Sequence, residues 1–202
     1  MIALIDYGAG NLTSVTKALA AIEAEVYVPL TPQDVQRATG VIVPGVGHFA
    51  ATRALDEAWR GAILERLGEG RPLLGICLGM QWLFEGSEEA PELSGLGLIG
   101  GTCFRLGRQP DPAPVKIPHV GWNSLQVERE ASIVDRVPAG AQVYFTHSYA
   151  APITGETVAT TAHGETFASI VQRGQVAGVQ FHPEKSGDVG LQILRNFIQI
   201  AR

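Results

Sequence analysis

The sequence predicts a three-layer α/β fold: a mostly parallel central sheet with helices on both faces, plus an antiparallel or mixed section in the C-terminal half. Three observations carry this. Residues 2–6, 40–44 and 72–76 are continuous apolar runs, the pattern of strands buried on both faces. In the first half such runs alternate with stretches whose apolar residues recur at helical spacing, as in a sheet covered by helices. In the second half strand-like runs follow one another across short turns.

Residues 2–6 (IALID) form the first strand. Leu12, Val15, Leu19 and Ile22 mark a helix over 11–23, and 25–28 suit a second strand. Thr31-Pro32 reads as an N-cap followed by proline at the first helical position of a short helix. A third strand spans 40–44. Residues 50–67 read as one long amphipathic helix, with Leu55, Trp59, Ile63 and Leu67 on one stripe. A fourth strand (72–76) and another helix (78–85) follow. Strands are then expected at 97–106, 122–128, 142–146, 156–162, 166–172 and 175–181, with Arg173-Gly174 as one of the turns. The last helix, 188–200, carries Val189, Leu191, Leu194, Phe197, Ile198 and Ile200. No repeat, low-complexity tract or linker divides the chain, so residues 1–202 are expected to form one domain.

With 202 residues, 46% hydrophobic and 17% charged, the chain has an ordinary globular balance. A net charge of −5 without a long basic stretch gives no electrostatic reason to expect nucleic acid. No apolar segment approaches the ~20 residues that span a bilayer. Met1–Asp6 lacks a basic n-region and a cleavage-site pattern, so the expectation is a cytoplasmic chain in which Cys77 and Cys103 are free thiols.

Gly75-Ile76-Cys77-Leu78-Gly79 has the form G-x-nucleophile-x-G where a strand should turn into a helix. There the helix N-terminus favours a thiolate, and the Leu78 N–H is placed to donate to an oxyanion. The pentapeptide alone fits a buried thiol equally well. A base is offered by Phe181-His182-Pro183-Glu184, at the end of the strand 175–181. Glu184 can hold one imidazole nitrogen and leave the other for the thiol; singly, the two residues would also suit the start of the last helix. Val43-Pro44-Gly45-Val46-Gly47 ends the third strand in a flexible loop whose N–H groups can supply a second oxyanion donor. Gln81 lies four residues beyond Cys77, on the same helix face. Asp6-Tyr7-Gly8-Ala9-Gly10-Asn11 imitates a dinucleotide fingerprint, but Thr13 replaces the third glycine and no acidic residue clearly ends the second strand.

Taken together, Gly75-Ile76-Cys77-Leu78-Gly79-Met80-Gln81 and His182-Pro183-Glu184 resemble the nucleophile and His-x-Glu motifs of the class I glutamine amidotransferases, whose fold is flavodoxin-like. Within that family, five stretches are similar to one branch, the glutaminase subunits of imidazole glycerol phosphate synthases. They are residues 6–15, Pro44-Gly45-Val46-Gly47, Lys116–Asn123, Tyr144–Tyr149 and Pro183–Ser186. The similarity covers essentially the whole chain.

The resemblance implies a Cys77–His182–Glu184 triad that hydrolyses glutamine through a cysteinyl thioester. Gly45, Val46, Gly47 and Leu78 would form the oxyanion hole. Gln81 and Glu89 would grip the amino-acid end of glutamine, and His147, Ser148 and Tyr149 would meet its α-carboxylate. No cofactor or metal is implied. The implied partner is a (β/α)₈-barrel cyclase that takes the ammonia in histidine biosynthesis, docking on Asn11, Pro118, Trp122, Asn123, Tyr144 and Lys185. Ser14 and Thr146 are given no role.

Overall fold

In the computed structural model, which describes residues 1–107 and 115–202, an eight-stranded sheet runs through the chain. Its parallel half contains β1 (Ile2–Leu4), β2 (Val26–Tyr27), β3 (Gly40–Gly45), β4 (Leu73–Cys77) and β13 (Val176–Val179), in the order β2-β1-β3-β4-β13. Beyond β13 the sheet continues antiparallel through β12 (Glu165–Arg173), β11 (Thr157–His163) and β8 (Gln126–Val127). This is the expected parallel sheet with an antiparallel section. A small sheet joins β5 (Gly86–Ser87), β6 (Thr102–Arg105) and β10 (Tyr149–Ala150). A hairpin-like pair joins β7 (His119–Ser124) and β9 (Gln142–His147).

The strand side chains alternate between two apolar layers. Leu4, Ile42, Leu74 and Ile76 pack with α1 (Leu12–Ala20) and α4 (Gly187–Ile200) through Val15, Leu19, Ile193, Leu194 and Phe197. Ile5, Val41, Val43 and Leu73 pack the other way, with Ile63 of α2 (Glu57–Gly68) and Met80 and Trp82 of α3 (Leu78–Trp82). Each fully buried Leu, Ile or Phe contributes about 1.5–3 kcal/mol of transfer free energy. No helix among the described residues is long and apolar enough to cross a membrane.

Several elements differ from the sequence expectation. The expected helix 50–67 is two pieces, a 3-10 turn Phe49–Ala54 and α2 from Glu57. The break is at Asp56, whose Oδ1 accepts from the Ala58 and Trp59 N–H groups at 3.0 and 3.1 Å, an N-cap that begins a new helix. The expected helix 78–85 stops at Trp82, because the loop N–H groups of Leu96, Leu98 and Gly97 take the Trp82, Leu83 and Phe84 carbonyls at 2.5, 2.9 and 3.0 Å. Strand 97–106 survives only as β6; Gly97 and Gly101, at φ +69° and +100°, make turns of its first part. Strand 122–128 divides at buried Leu125, with β7 pairing with β9 and β8 with β11. Smaller boundary shifts occur at 2–6, 11–23 and 175–181, where β1, α1 and β13 are shorter.

Candidate active site

Cys77 ends β4 at φ +54°, ψ −107° and is the residue before α3. A non-glycine residue held at such a φ costs on the order of 1–3 kcal/mol, which the surrounding packing must sustain. The flanking glycines are sterically required. A Cβ on Gly75 would lie 2.5 Å from the Gly79 carbonyl oxygen, and one on Gly79 would collide with the Val43 carbonyl of β3. The elbow therefore rests backbone to backbone on β3, with Gly45 in register with Cys77.

The candidate base arrives from the neighbouring strand. β13 pairs with β4 through Val179 and Ile76, and the chain runs on to His182. His182 Nδ1–H donates to Glu184 Oε1 at 2.8 Å, with both side chains 2% exposed. This leaves Nε2, buried and without a hydrogen bond of ordinary geometry, for the thiol side. Burial alone would lower the imidazole pKa, but neighbouring Cys77 and Glu184 together raise it from 6.5 to about 10. The His182 backbone is pinned as well. Its N–H donates to the Tyr144 carbonyl at 2.9 Å, and the Ser186 hydroxyl donates to its carbonyl at 2.6 Å while accepting from the Tyr144 N–H at 3.0 Å. Gly190 lets α4 approach, since a Cβ there would strike the Pro183 carbonyl.

A cavity of about 320 Å³ opens over the elbow, lined by Cys77, Leu78, Gly47, Gln81, Glu89, His147, Ser148 and Tyr149. The sequence-predicted nucleophile, one oxyanion-loop glycine and all five substrate residues are thus brought to one space. Pro118, expected at a partner face, and Thr146, given no role, line it too. The Val46 N–H is engaged elsewhere, donating to the Ala9 carbonyl at 2.5 Å. Glu89 holds the other end of this loop, its Oε2 accepting from the Phe49 N–H at 2.7 Å. The glycine-rich segment that imitates a dinucleotide fingerprint is therefore the anchor of the Gly45–Gly47 loop. Its own Asp6 Oδ1 accepts from the Gly8 N–H at 3.0 Å.

Both N–H groups of the buried Gln81 amide are used, toward the Tyr149 carbonyl at 2.8 Å and Gln180 Oε1 at 3.2 Å, so Oε1 is the atom it can offer a ligand. His147 is fixed between the Tyr149 carbonyl (2.9 Å from Nδ1) and His119 Nδ1 (3.1 Å from Nε2). Burial pushes its pKa down to about 3, and that of His119, aided by His163, to about 4. The pair is neutral at physiological pH.

The residues expected at a partner face divide. Trp122, 57% exposed, meets Tyr144 edge to face at 6.1 Å between ring centroids, and Lys185 Nζ stands 5.8 Å from the Tyr144 ring. Trp122 and Lys185 are exposed, and the half-buried Tyr144 joins them. Asn11 caps α1, its Oδ1 accepting from the Ser14 N–H at 3.3 Å. The Asn123 amide is turned inward, toward His119 Nε2 at 3.3 Å and the Ala162 carbonyl at 3.0 Å.

The residue that sequence reasoning missed is Gln180, whose Nε2–H donates to Cys77 Sγ at 3.7 Å. Its signal was available: a glutamine that interrupts the apolar run 175–181 just before Phe181-His182. Tyr7 was missed too. Its buried hydroxyl sits where a Cβ on Gly45 would be, and burial, then the Cys77 charge, raises its pKa.

Residues 3–200 match the family model described as glutamine amidotransferase class-I. The chain is 44% identical over 200 residues to the imidazole glycerol phosphate synthase subunit HisH of Bacillus cytotoxicus, covering 98% of this chain and 93% of that protein. It is 46% identical, with the same coverage, to the subunit of that name from Bacillus thuringiensis. Among solved structures, a glutamine amidotransferase superposes with a TM-score of 0.76 at 22% identity, over 100% of this chain and 99% of that one. The glutaminase domain of Trypanosoma brucei CTPS with bound acivicin superposes with a TM-score of 0.66 at 15% identity, over 98% and 93%. These two show the fold, while the family match runs through the Cys77 elbow and the His182–Glu184 pair alike. The chain belongs to the class I glutamine amidotransferases, in the branch of the HisH subunits.

Proposed function

We propose that this chain is the glutaminase subunit of an imidazole glycerol phosphate synthase, acting in histidine biosynthesis in the cytoplasm, and that residues 1–202 work as one glutaminase domain. Cys77, His182 and Glu184 are its triad. The observation that carries this reading is the 2.8 Å Nδ1–Glu184 bond, which leaves Nε2 for a strained Cys77 facing a cavity.

His182 takes the thiol proton, and its raised pKa fits an imidazolium held beside a thiolate and a carboxylate. The thiolate attacks the side-chain amide carbon of glutamine; the C–S bond forms and the carbonyl π pair moves to oxygen. The Leu78 N–H and an N–H of the Gly45–Gly47 loop receive that charge. Collapse breaks the C–N bond, and His182 returns its proton to the departing nitrogen as ammonia. Water, giving a proton to His182, then cleaves the thioester to glutamate and restores the thiol. Gln81 Oε1 and Glu89 suit the α-ammonium; Ser148 and Tyr149 backbone groups suit the α-carboxylate.

Ammonia released into bulk water is protonated and lost as a nucleophile, so the site needs an acceptor at its mouth. A (β/α)₈-barrel cyclase fills that role, making imidazole glycerol phosphate and an aminoimidazole carboxamide ribotide. Exposed Trp122 and Lys185 with the half-buried Tyr144 that joins them, together with Pro118 of the cavity lining, are the face on which it docks.

The test is reconstitution with that cyclase, its ribotide substrate and glutamine. The wild-type chain supports ammonia-dependent turnover and releases glutamate, and Cys77→Ala abolishes both while free ammonium salts still drive the cyclase. Glutamate release by Cys77→Ala at the original rate would sink the nucleophile assignment. Failure of the wild-type chain to support the cyclase would sink the partner.

A further inference from the structure

We infer that Gln180 is a positioning residue for the nucleophile: its side-chain N–H holds the Cys77 sulfur and joins it to Gln81 in the substrate cavity. This rests on the reading of Cys77 as nucleophile. Gln180 is fully buried (0% exposed) at the end of an apolar strand, where an amide is retained only if its polar atoms are paired. Its Nε2–H meets Cys77 Sγ at 3.7 Å, and its Oε1 accepts from Gln81 Nε2–H at 3.2 Å. Its backbone N–H donates to the Ser169 carbonyl at 2.9 Å, which fixes where the side chain starts.

The direction of these bonds follows from chemistry. The Tyr149 carbonyl can only accept, so the atom of Gln81 lying 2.8 Å from it must be the NH₂. That NH₂ requires an oxygen from Gln180, so the Gln180 NH₂ must face the sulfur. A backbone carbonyl two amides away thus compels the sulfur to meet a donor. A donor favours the thiolate over the thiol. The other groups acting on this sulfur are the His182 imidazole, itself oriented by Glu184, and the buried Tyr7 hydroxyl. Gln180 is the member of the set that cannot ionise. It fixes the direction of the sulfur without competing for the proton that His182 must carry.

The experiment uses the assembled synthase and follows alkylation of Cys77 by iodoacetamide against pH, with peptide mapping to separate it from buried Cys103. Gln180→Leu is expected to raise the alkylation midpoint by about 1 pH unit and to lower kcat for glutamine hydrolysis at neutral pH by about tenfold. KM should stay within about threefold, because Gln81 remains bonded to the Tyr149 carbonyl. Gln180→Glu, which removes the donor at nearly constant shape, should raise the midpoint at least as far. A folded Gln180→Leu with the wild-type midpoint and kcat overturns the inference. Should both variants fail to fold, the wild-type chain decides: the Gln180 side-chain amide resonances must titrate with the alkylation midpoint, and if they stand still the inference is wrong. Its failure is distinct from failure of the nucleophile reading. In the latter case Cys77 of the wild type would not be selectively alkylated and Cys77→Ala would keep its activity, whatever Gln180 does.

Discussion

The Val46 N–H donates to the Ala9 carbonyl at 2.5 Å, across two loops that follow different strands of the sheet. The bond turns one oxyanion-loop donor toward residues 6–10. The loop is held at its far end by Glu89 on the Phe49 N–H, so the peptide between these anchors is the part free to rotate. Gly47, at φ +95° with open space where a Cβ would stand, permits that rotation.

Alone, the chain should therefore hydrolyse glutamine slowly. One missing oxyanion donor costs about 10²–10³ in kcat, so we expect a deficit of at least about tenfold relative to the complex with cyclase and its ligand. A coupled glutamate assay on both forms checks it. Equal rates would show that the Val46 orientation does not limit catalysis.

Glu184→Gln removes the charge that helps raise His182 while keeping its shape. We expect kcat to fall about 10²-fold, within the usual contribution of a general acid–base group. Stability carries a second signature. The folded His182 pKa of about 10 lies above the ordinary 6.5, so its stabilisation is complete below pH 6.5 and is lost as pH rises toward 10. Thermal melts from pH 7 to 10 should show a falling midpoint in the wild type and a shallower fall in Glu184→Gln.

The acid limb has the opposite sign. His147 is held neutral, its folded pKa of about 3 below the ordinary 6.5, so the unfolded chain binds the extra proton. Stability should drop as pH falls below 6.5, by up to about 2 kcal/mol at pH 5 from this group. His147→Gln should flatten the limb between pH 7 and 5 in urea titrations; an unchanged slope would place the acid sensitivity elsewhere.

Ser186→Ala removes a buried hydroxyl that joins the Tyr144 N–H to the His182 carbonyl. Losing both bonds should cost about 1–3 kcal/mol. It should also lower kcat several-fold with little change in KM, because the loosened group is His182, the proposed base. Steady-state kinetics beside a denaturant melt separates the two effects. A loss of stability with kcat intact would make Ser186 purely structural.

Much of this was legible in the sequence because it rests on local, hard constraints. Glycines two residues either side of Cys77 announce a place where backbones touch, and His182-Pro183-Glu184 announces an oriented imidazole within three residues. What sequence could not give were directions and pairings set by tertiary contact. Val46 belongs to the predicted oxyanion loop, yet its N–H points to a carbonyl thirty-seven residues upstream, that of Ala9, in a segment that imitates another motif. The resemblance implies that Asn123 meets a partner, yet His119 Nε2 and the Ala162 carbonyl hold its amide. The break at Asp56 was readable in principle, since Asp followed by Glu is an N-terminal helix signal, but the apolar stripe from Leu55 to Leu67 bridged it.

The position of the base within the sheet has a consequence for biosynthesis. Cys77 ends the fourth strand to leave the ribosome, whereas His182 and Glu184 follow the last strand, which inserts beside it. Until β13 takes its place, the nascent chain carries the Cys77 thiol without the imidazole proposed as its base. On the proposed triad, hydrolytic competence therefore waits on completion of the sheet, and a half-made chain would leave glutamine intact.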